Sequence, residues 1–278
     1  MPRGKAQKTI AREEAILEWA EAHHPVTVRQ LFYRLSVLGL VQKTEGGYDS
    51  VYNICKDMRL DGDIPFEWFS DEGRSWRKPK TYNSWEDALK QTAEVYRKSL
   101  WNTNDDVVEI WIEKEALLGV VIDVTSTWDV ALLPVKGYAS LTALYICAEN
   151  IKRATEAGKT FHLYYFGDHD PSGLDIYRDI NDKLQKFVPD GRWSITRPAV
   201  TKTQIEEMQL PSRPTKKEDS RAKNFEGKSV ELDAIEPDIL RSMVRKCIFN
   251  HLDYDEADRL FEIEKLEQQN IFDFLNFG

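Results

Sequence analysis

The spacing of apolar residues changes once along the chain. In the first third it is helical. In residues 10–22, IAREEAILEWAEA, the positions Ile10, Ile16, Leu17 and Ala20 read as the core side of a helix. His23 and His24 end that helix just before Pro25, as a solvated helix end rather than a metal site. In VTVRQLFYRLSVLGL, Thr27 and Gln30 form a T-x-x-Q capping box, which predicts a helix from Val28. At about 100° per residue, Val28, Leu31, Phe32, Leu35 and Leu38 gather on one face. Tyr33 then points outward, roughly 160° from the middle of that face, with Arg29 beside it at i, i+4 spacing. YDSVYNICKDMRLDG predicts a further short helix ending near Gly62, with Lys56 and Arg59 open to solvent. IPFEWFSDEGRSW reads as extended segments around a turn, and NSWEDALKQTAEVYRKSLW as an amphipathic connecting helix capped by Ser84, with Trp85, Leu89, Tyr96 and Leu100 on one side.

From residue 106 strands and helices alternate. VVEIWI, DVALLPV, FHLYYF and WSITRPAV read as strands, separated by the helical EALLGVVIDVT, SLTALYICAENIKRATEAG and GLDIYRDINDKLQKFV. That order predicts a mostly parallel, helix-covered sheet. EPDILRSMVRKCIFNHL predicts a helix starting at Pro237, with Leu240, Met243, Val244, Cys247 and Ile248 inward. The tail NIFDFLNFG is aromatic enough to dock on the body or on a second subunit. The expected fold class is therefore multi-domain α/β. Three helices and a small β-hairpin over residues 1–80 make the winged-helix pattern. Residues 81–105 are a connecting helix and linker, and residues 106–278 an α/β domain with C-terminal helices.

Composition narrows this picture. With 278 residues, 41% hydrophobic and 31% charged, the chain can build a sizeable core. Its apolar runs are short (LLGVVIDV is broken by Asp123), so no membrane span is expected. The basic start MPRGKAQKTIAREE has no apolar stretch and does not read as a secretory signal. Cys55, Cys147 and Cys247 are odd in number and far apart, which suits a reducing cytoplasm and gives no zinc spacing. The net charge of −9 argues against a nonspecific nucleic-acid coat but is compatible with a local basic groove.

Candidate chemistry lies where strands end. Ligands of parallel sheets bind at the carboxyl ends of the strands. FGDHDPSG puts Asp168 and Asp170 just beyond one strand, and WIEKEAL puts Glu113 just beyond another. Carboxylates so close repel, and an all-oxygen set suits Mg2+ or Mn2+ rather than zinc or copper. His169 reads as a spacer pointing away. Arg74, Arg77, Lys78 and Lys80 surround Trp76, and Lys216, Lys217, Arg221 and Lys223 form a second basic run; each is either a nucleic-acid contact or a solvated segment. AKNFEGKS at 222–229 nearly fits a phosphate loop, but the preceding TKKEDSR cannot be a buried strand, which excludes an ATP site there.

Glu113–Lys114 at a strand end, followed later by Asp168, Asp170, Pro171 and Gly173 as D-x-D-P-x-G, resembles the Toprim domain of the A subunit of type IIB topoisomerases (topoisomerase VI) and their meiotic double-strand-break relatives. VKGYASLTAL is similar to that family's K-G-Y-P segment, with Ala139 where Pro is usual. TVRQLFYRL is similar to the R-x-x-[YF]-Y element of its winged-helix domain, and SVELDAI to a later acidic segment. The resemblance covers most of the chain in the family's order, and the chain looks most like the shortened phage- or plasmid-type homologues. It implies that Tyr33 is a nucleophile with Arg29 as companion, and that Glu113, Asp168 and Asp170 hold Mg2+ or Mn2+. It further implies reversible double-strand breaks in DNA with a 5′-phosphotyrosyl link, made by a homodimer that pairs the tyrosine of one subunit with the metal site of the other. No GHKL-type ATPase motif is present, so ATP-driven strand passage would need a separate B subunit. DNA contacts are expected from Lys56, Arg59, Arg74, Arg77, Lys78, Lys80, Lys114, Lys136, Lys216, Lys217 and Arg221. The location expected is the nucleoid in the cytoplasm. Open at this point are any assistance to the metal from Glu109, Glu115, Glu231 or Asp233, and two other functions: a Toprim nuclease using a metal-activated water, and a non-catalytic DNA-binding scaffold.

Overall fold

The capping box expected at Thr27 forms: Gln30 N donates to Thr27 Oγ1 at 3.0 Å and Thr27 N to Gln30 Oε1 at 2.9 Å. The computed structural model containing it describes residues 7–70, 79–213, 225 and 228–276. Helix α1 spans Gln7–His23, α2 Val28–Val37 and α3 Glu45–Leu60, and the three pack on one another. Helix α1 buries the stripe Ile16, Trp19 and Ala20. Ile10 and Leu17, expected inside, are exposed because they lie about 100–120° round the helix from Ile16. Leu38, just past α2, is likewise exposed.

No hairpin arm forms over residues 64–70. Phe66–Trp68 make a 3-10 turn, and Phe69 forms an isolated parallel bridge with Val26. Val26 N donates to Trp68 O and Ser70 N to Val26 O, each at 2.9 Å. The expected second arm falls at 71–78, outside the described residues. Helix α4, Trp85–Val95, starts at the Ser84 cap but stops five residues short of Leu100. Its expected continuation is held extended by α10, Tyr254–Asn276. Tyr96 Oη donates to Glu267 at 2.5 Å and Lys98 N to Glu264 at 2.6 Å. Trp85 is therefore left exposed, while Leu100 is buried. In the tail, Ile271 and Phe272 are half-buried and Phe274 faces solvent.

The alternating half folds as its sequence predicts. Strands β1 Asp106–Ile112, β2 Ala131–Pro134, β3 Thr160–Phe166 and β4 Trp193–Ala199 form one parallel sheet in the order β2-β1-β3-β4. Helices α5 Leu118–Thr127, α6 Leu141–Glu156 and α7 Pro171–Phe187 intervene, and α8 Lys202–Glu207 and α9 Pro237–Phe249 follow. One apolar cluster joins Ile110 and Ile112 of β1 to Val121 of α5, Leu240 and Val244 of α9, and on to Leu31 and Leu35 of α2. A second joins Trp111 and Tyr165 to Leu144 of α6 and Ile176 and Ile180 of α7. The central strands are thus buried on both faces, which is why they read as apolar runs rather than alternating ones. Among the described residues, no helix is long and apolar enough to cross a membrane.

Ile110 is fully buried at the centre of the larger cluster. Ile110→Ala is expected to cost about 2–5 kcal/mol, read as a lowered urea midpoint with unchanged slope. An unchanged midpoint would contradict the two-sided burial of β1.

Candidate active site at the carboxyl edge of the sheet

Strands β1 and β3 stay paired beyond their last strand residues, since Glu113 N donates to Phe166 O at 2.9 Å. This brings Glu113 against the start of FGDHDPSG. Its Oε2 accepts from Tyr165 Oη at 3.0 Å and from Asp168 N at 2.8 Å. Asp168 is buried; its Oδ1 accepts from Leu232 N at 2.8 Å, and Arg197 donates to its carbonyl at 2.6 Å. Asp170 caps α7, its Oδ1 accepting from Gly173 N at 2.8 Å with Pro171 in the first turn. A Cβ on Gly173 would lie 2.2 Å from the Asp168 carbonyl oxygen. The D-x-D-P-x-G pattern is therefore a helix start as well as a pair of acids, with glycine needed for the close approach.

Residues 229–233 complete the edge. His169 and Val230 exchange backbone hydrogen bonds at 2.8 and 3.0 Å, and Arg213 pairs with Ser229 in the same way. This strap delivers Glu231 and Asp233, both buried, to the strand ends. Between the acids lies the Lys114 ammonium, 2.7 Å from Asp233, 3.2 Å from Asp168 and 3.2 Å from Glu231. Arg213 lies against Glu231, and Arg29 is 3.6 Å from it. Thr27 Oγ1 donates to Asp233 at 3.3 Å, tying the start of α2 to the acids.

The electrostatics follow from burial and from these neighbours. Burial alone would lower the Lys114 pKa, but Asp233 and Asp168 outweigh it and hold the ammonium above the ordinary lysine range. Burial pushes the Asp168 carboxyl above the usual carboxylate range; Lys114 opposes this and the charge of Glu113 adds to it.

A cleft of about 430 Å³ opens onto this group, lined among others by Thr27, Arg29, Arg59, Lys114, Asp168 and Asp233. The structure thus brings Arg29 and the carboxyl edge together. Tyr33 is placed differently from expectation: it is 3% exposed, not outward. The reason is distant in sequence. Helix α2 also packs against the turn Leu232–Ala234, and Tyr33 shares one buried cluster with Leu232, Ala234 and Ile235 while lining a neighbouring cavity of about 400 Å³ with Trp19, Leu210 and Ile235. Its hydroxyl is buried without a hydrogen-bond partner among the described residues. Burial raises its pKa above the ordinary phenol value, while Arg213, Lys114 and Arg29 pull it down.

The expected metal set shares the edge without closing on a point. Among the described residues, only Asp106, His162 and His251 bring three ligand atoms within 4.8 Å of one another. Asp170 instead caps α7, and Lys114, expected on DNA, is the counter-ion of three carboxylates with a side chain 24% exposed. Glu109 accepts from the Trp111 indole at 2.6 Å, within β1 and away from the carboxyl edge, and Glu115 pairs with Lys136 at 2.5 Å. Lys56 is exposed beside Asp57, Arg59 lies over Phe69 at 4.5 Å, and Lys80 lies 5.2 Å over Tyr82. Arg74, Arg77, Lys78, Lys216, Lys217 and Arg221 lie outside the described residues. His169 is buried, with its ring turned toward Phe225. No sequence pattern pointed to Tyr165 or Arg197, and for Glu231 and Asp233 the signal was the acidic pattern of SVELDAI alone.

Lys114→Ala leaves three buried carboxylates short of their shared cation. It is expected to cost about 3–5 kcal/mol near neutral pH. Burial already holds the Asp168 carboxyl at about 6, above its unfolded value, and the variant loses the charge that opposed this rise. The native state then takes up the proton more readily than the unfolded chain, and the deficit shrinks as pH falls through that range. Thermal melts across pH check this; wild-type stability of the variant at neutral pH would contradict it. No protein-family model and no curated protein sequence matches the chain, so its own residues and their geometry carry the functional reading.

Proposed function

We propose that the protein is a DNA-cleaving transesterase of the type IIB topoisomerase A-subunit kind. In this reading the N-terminal helices act as the winged-helix element, the sheet as the Toprim element, and a homodimer works on double-stranded DNA. The observation that carries it is the single cleft joining Arg29, at the start of α2, to Lys114, Asp168 and Asp233 at the carboxyl edge. A phosphodiester in that cleft meets guanidinium and ammonium groups beside a bank of acids.

The donor set suits a hard cation. Glu113, Asp168 and Asp170 offer only oxygen, and Glu231 and Asp233, both paired with Lys114, add negative charge behind them. Glu113, Asp168 and Asp170 would hold Mg2+ or Mn2+, which supplies neutralisation of the charge developing on the phosphate. The remaining work belongs to the chain. Burial keeps the Tyr33 phenol protonated at rest, so cleavage requires the ring to leave its cavity for DNA. Arg29, one turn away on the same helix, stabilises the phenolate once the proton is lost. Tyr33 Oη then bonds to phosphorus, the P–O3′ bond breaks, and the 3′ oxygen departs and takes up a proton. The 5′-phosphotyrosyl ester retains the energy of the diester, so attack by the 3′ hydroxyl reseals the strand. ATP-driven strand passage would draw on a separate ATPase subunit.

The burial of Tyr33 away from the cleft favours one second reading, a nuclease that hydrolyses DNA while Tyr33 serves only packing. Denaturing quench of a reaction with end-labelled supercoiled DNA and Mg2+ distinguishes them. A covalent protein–DNA adduct is expected from the wild type, reduced at least about a hundredfold in Tyr33→Phe and Asp168→Ala. Undiminished cutting by Tyr33→Phe without any adduct would establish the nuclease. No cutting in any divalent metal would overturn both.

A further inference from the structure

At the opposite end of the sheet lies a polar cluster that DNA cleavage does not use. Asp106 opens β1, His162 lies in β3, and His251 lies in the turn between α9 and α10. Asp106 Oδ1 is 3.1 Å from His162 Nε2, and Oδ2 is 2.8 Å from His251 Nδ1. The two imidazoles stack with centroids 3.9 Å apart and planes 25° apart. Each outer nitrogen has its own hydroxyl: Ser194 Oγ is 2.9 Å from His162 Nδ1, and Tyr164 Oη is 2.7 Å from His251 Nε2.

We infer that Asp106, His162 and His251 form a site for a zinc-class transition-metal ion that clips the α9–α10 turn to the amino end of the sheet. The two nitrogen–oxygen separations, 3.1 and 2.8 Å, approach the edge of a tetrahedron of bonds about 2.0–2.1 Å long, roughly 3.3 Å, and one ligand atom from each residue lies within 4.8 Å of the others. Two imidazole nitrogens and one carboxylate oxygen select zinc, cobalt or nickel over magnesium. The outer hydroxyls supply what ligating histidines need, a partner that fixes the tautomer and the ring orientation. Metal entry requires no net loss of ring protons. In each neutral ring the proton moves from the inner nitrogen to the outer one, and the Ser194 or Tyr164 hydroxyl turns from donor to acceptor. The side chains of Asp106, His162 and His251 are 28%, 18% and 12% exposed, which leaves an entry path and room for water as fourth ligand. The clip would fix α10, which grips residues 96–98 through Glu264 and Glu267. It is independent of the proposed cleavage reaction.

The test uses the full chain stripped with EDTA and titrated with Zn2+ alone. One ion per chain is expected by calorimetry, with a melting temperature that rises with zinc concentration. The chain has five histidines, so long-range 1H–15N spectra resolve which rings bind. His162 through Nε2 and His251 through Nδ1 should shift, while His23, His24 and His169 stay. Ser194→Ala should weaken binding about tenfold, and His162→Gln about a hundredfold or more. Absence of stoichiometric binding, movement of other histidines instead, or unchanged affinity in His162→Gln would each overturn the site. If His162→Gln fails to fold, the wild-type ring shifts decide.

Discussion

Charge inside the protein must be matched by charge, and the Lys114 ammonium is where this chain meets that requirement. Asp168, Glu231 and Asp233 are all buried and all within 3.2 Å of that one nitrogen. Without a partner, each carboxylate would face a desolvation penalty of several kcal/mol. The same contacts also bind separate parts of the chain to one another. Lys114 follows β1, Asp168 follows β3, and Glu231 and Asp233 come from the strap at 229–233. Thr27 joins this group through Asp233, so the helix that carries Arg29 and Tyr33 is oriented by the acids it faces.

That arrangement has a chemical consequence. Glu113, Asp168 and Asp170 lie at one edge with their ligand atoms unclosed, while a lysine neutralises the neighbouring acids. An ammonium and a divalent cation then compete for overlapping sets of oxygens. The burial of Tyr33 works in the same direction, because a phenol held protonated in a cavity is inert until it is drawn out. Both features fit a resting state of the proposed transesterase, with its parts present but not assembled.

The sequence was most legible where local rules decide. The central strands β1 and β3 could be read because two-sided burial demands unbroken apolar runs, and the edge strand β4 because its exposure alternates. The starts of α2 and α4 could be read because Thr27 and Ser84 cap their own helices. It was least legible where distant segments decide. Tyr33 looked exposed because helix periodicity knows nothing of the turn Leu232–Ala234, which packs on α2 from some two hundred residues away and shares its buried cluster. Helix α4 ended early because Glu264 and Glu267 of α10 hold the next residues extended. Glu231 and Asp233 carry no spacing relation to Asp168; the strap bonded to Arg213, His169 and Asp168 brings them in. The histidine cluster at the other end of the sheet was invisible for the same reason.

The central claim is that the carboxyl edge is a cation site at which Lys114 stands in for part of the charge. Anomalous diffraction from crystals grown with Mn2+ tests it most directly. The account predicts a manganese peak bonded to Glu113 and Asp168, with the Lys114 ammonium withdrawn from Asp168. An edge with no manganese at saturating concentration, and Lys114 still bridging its three carboxylates, would contradict it.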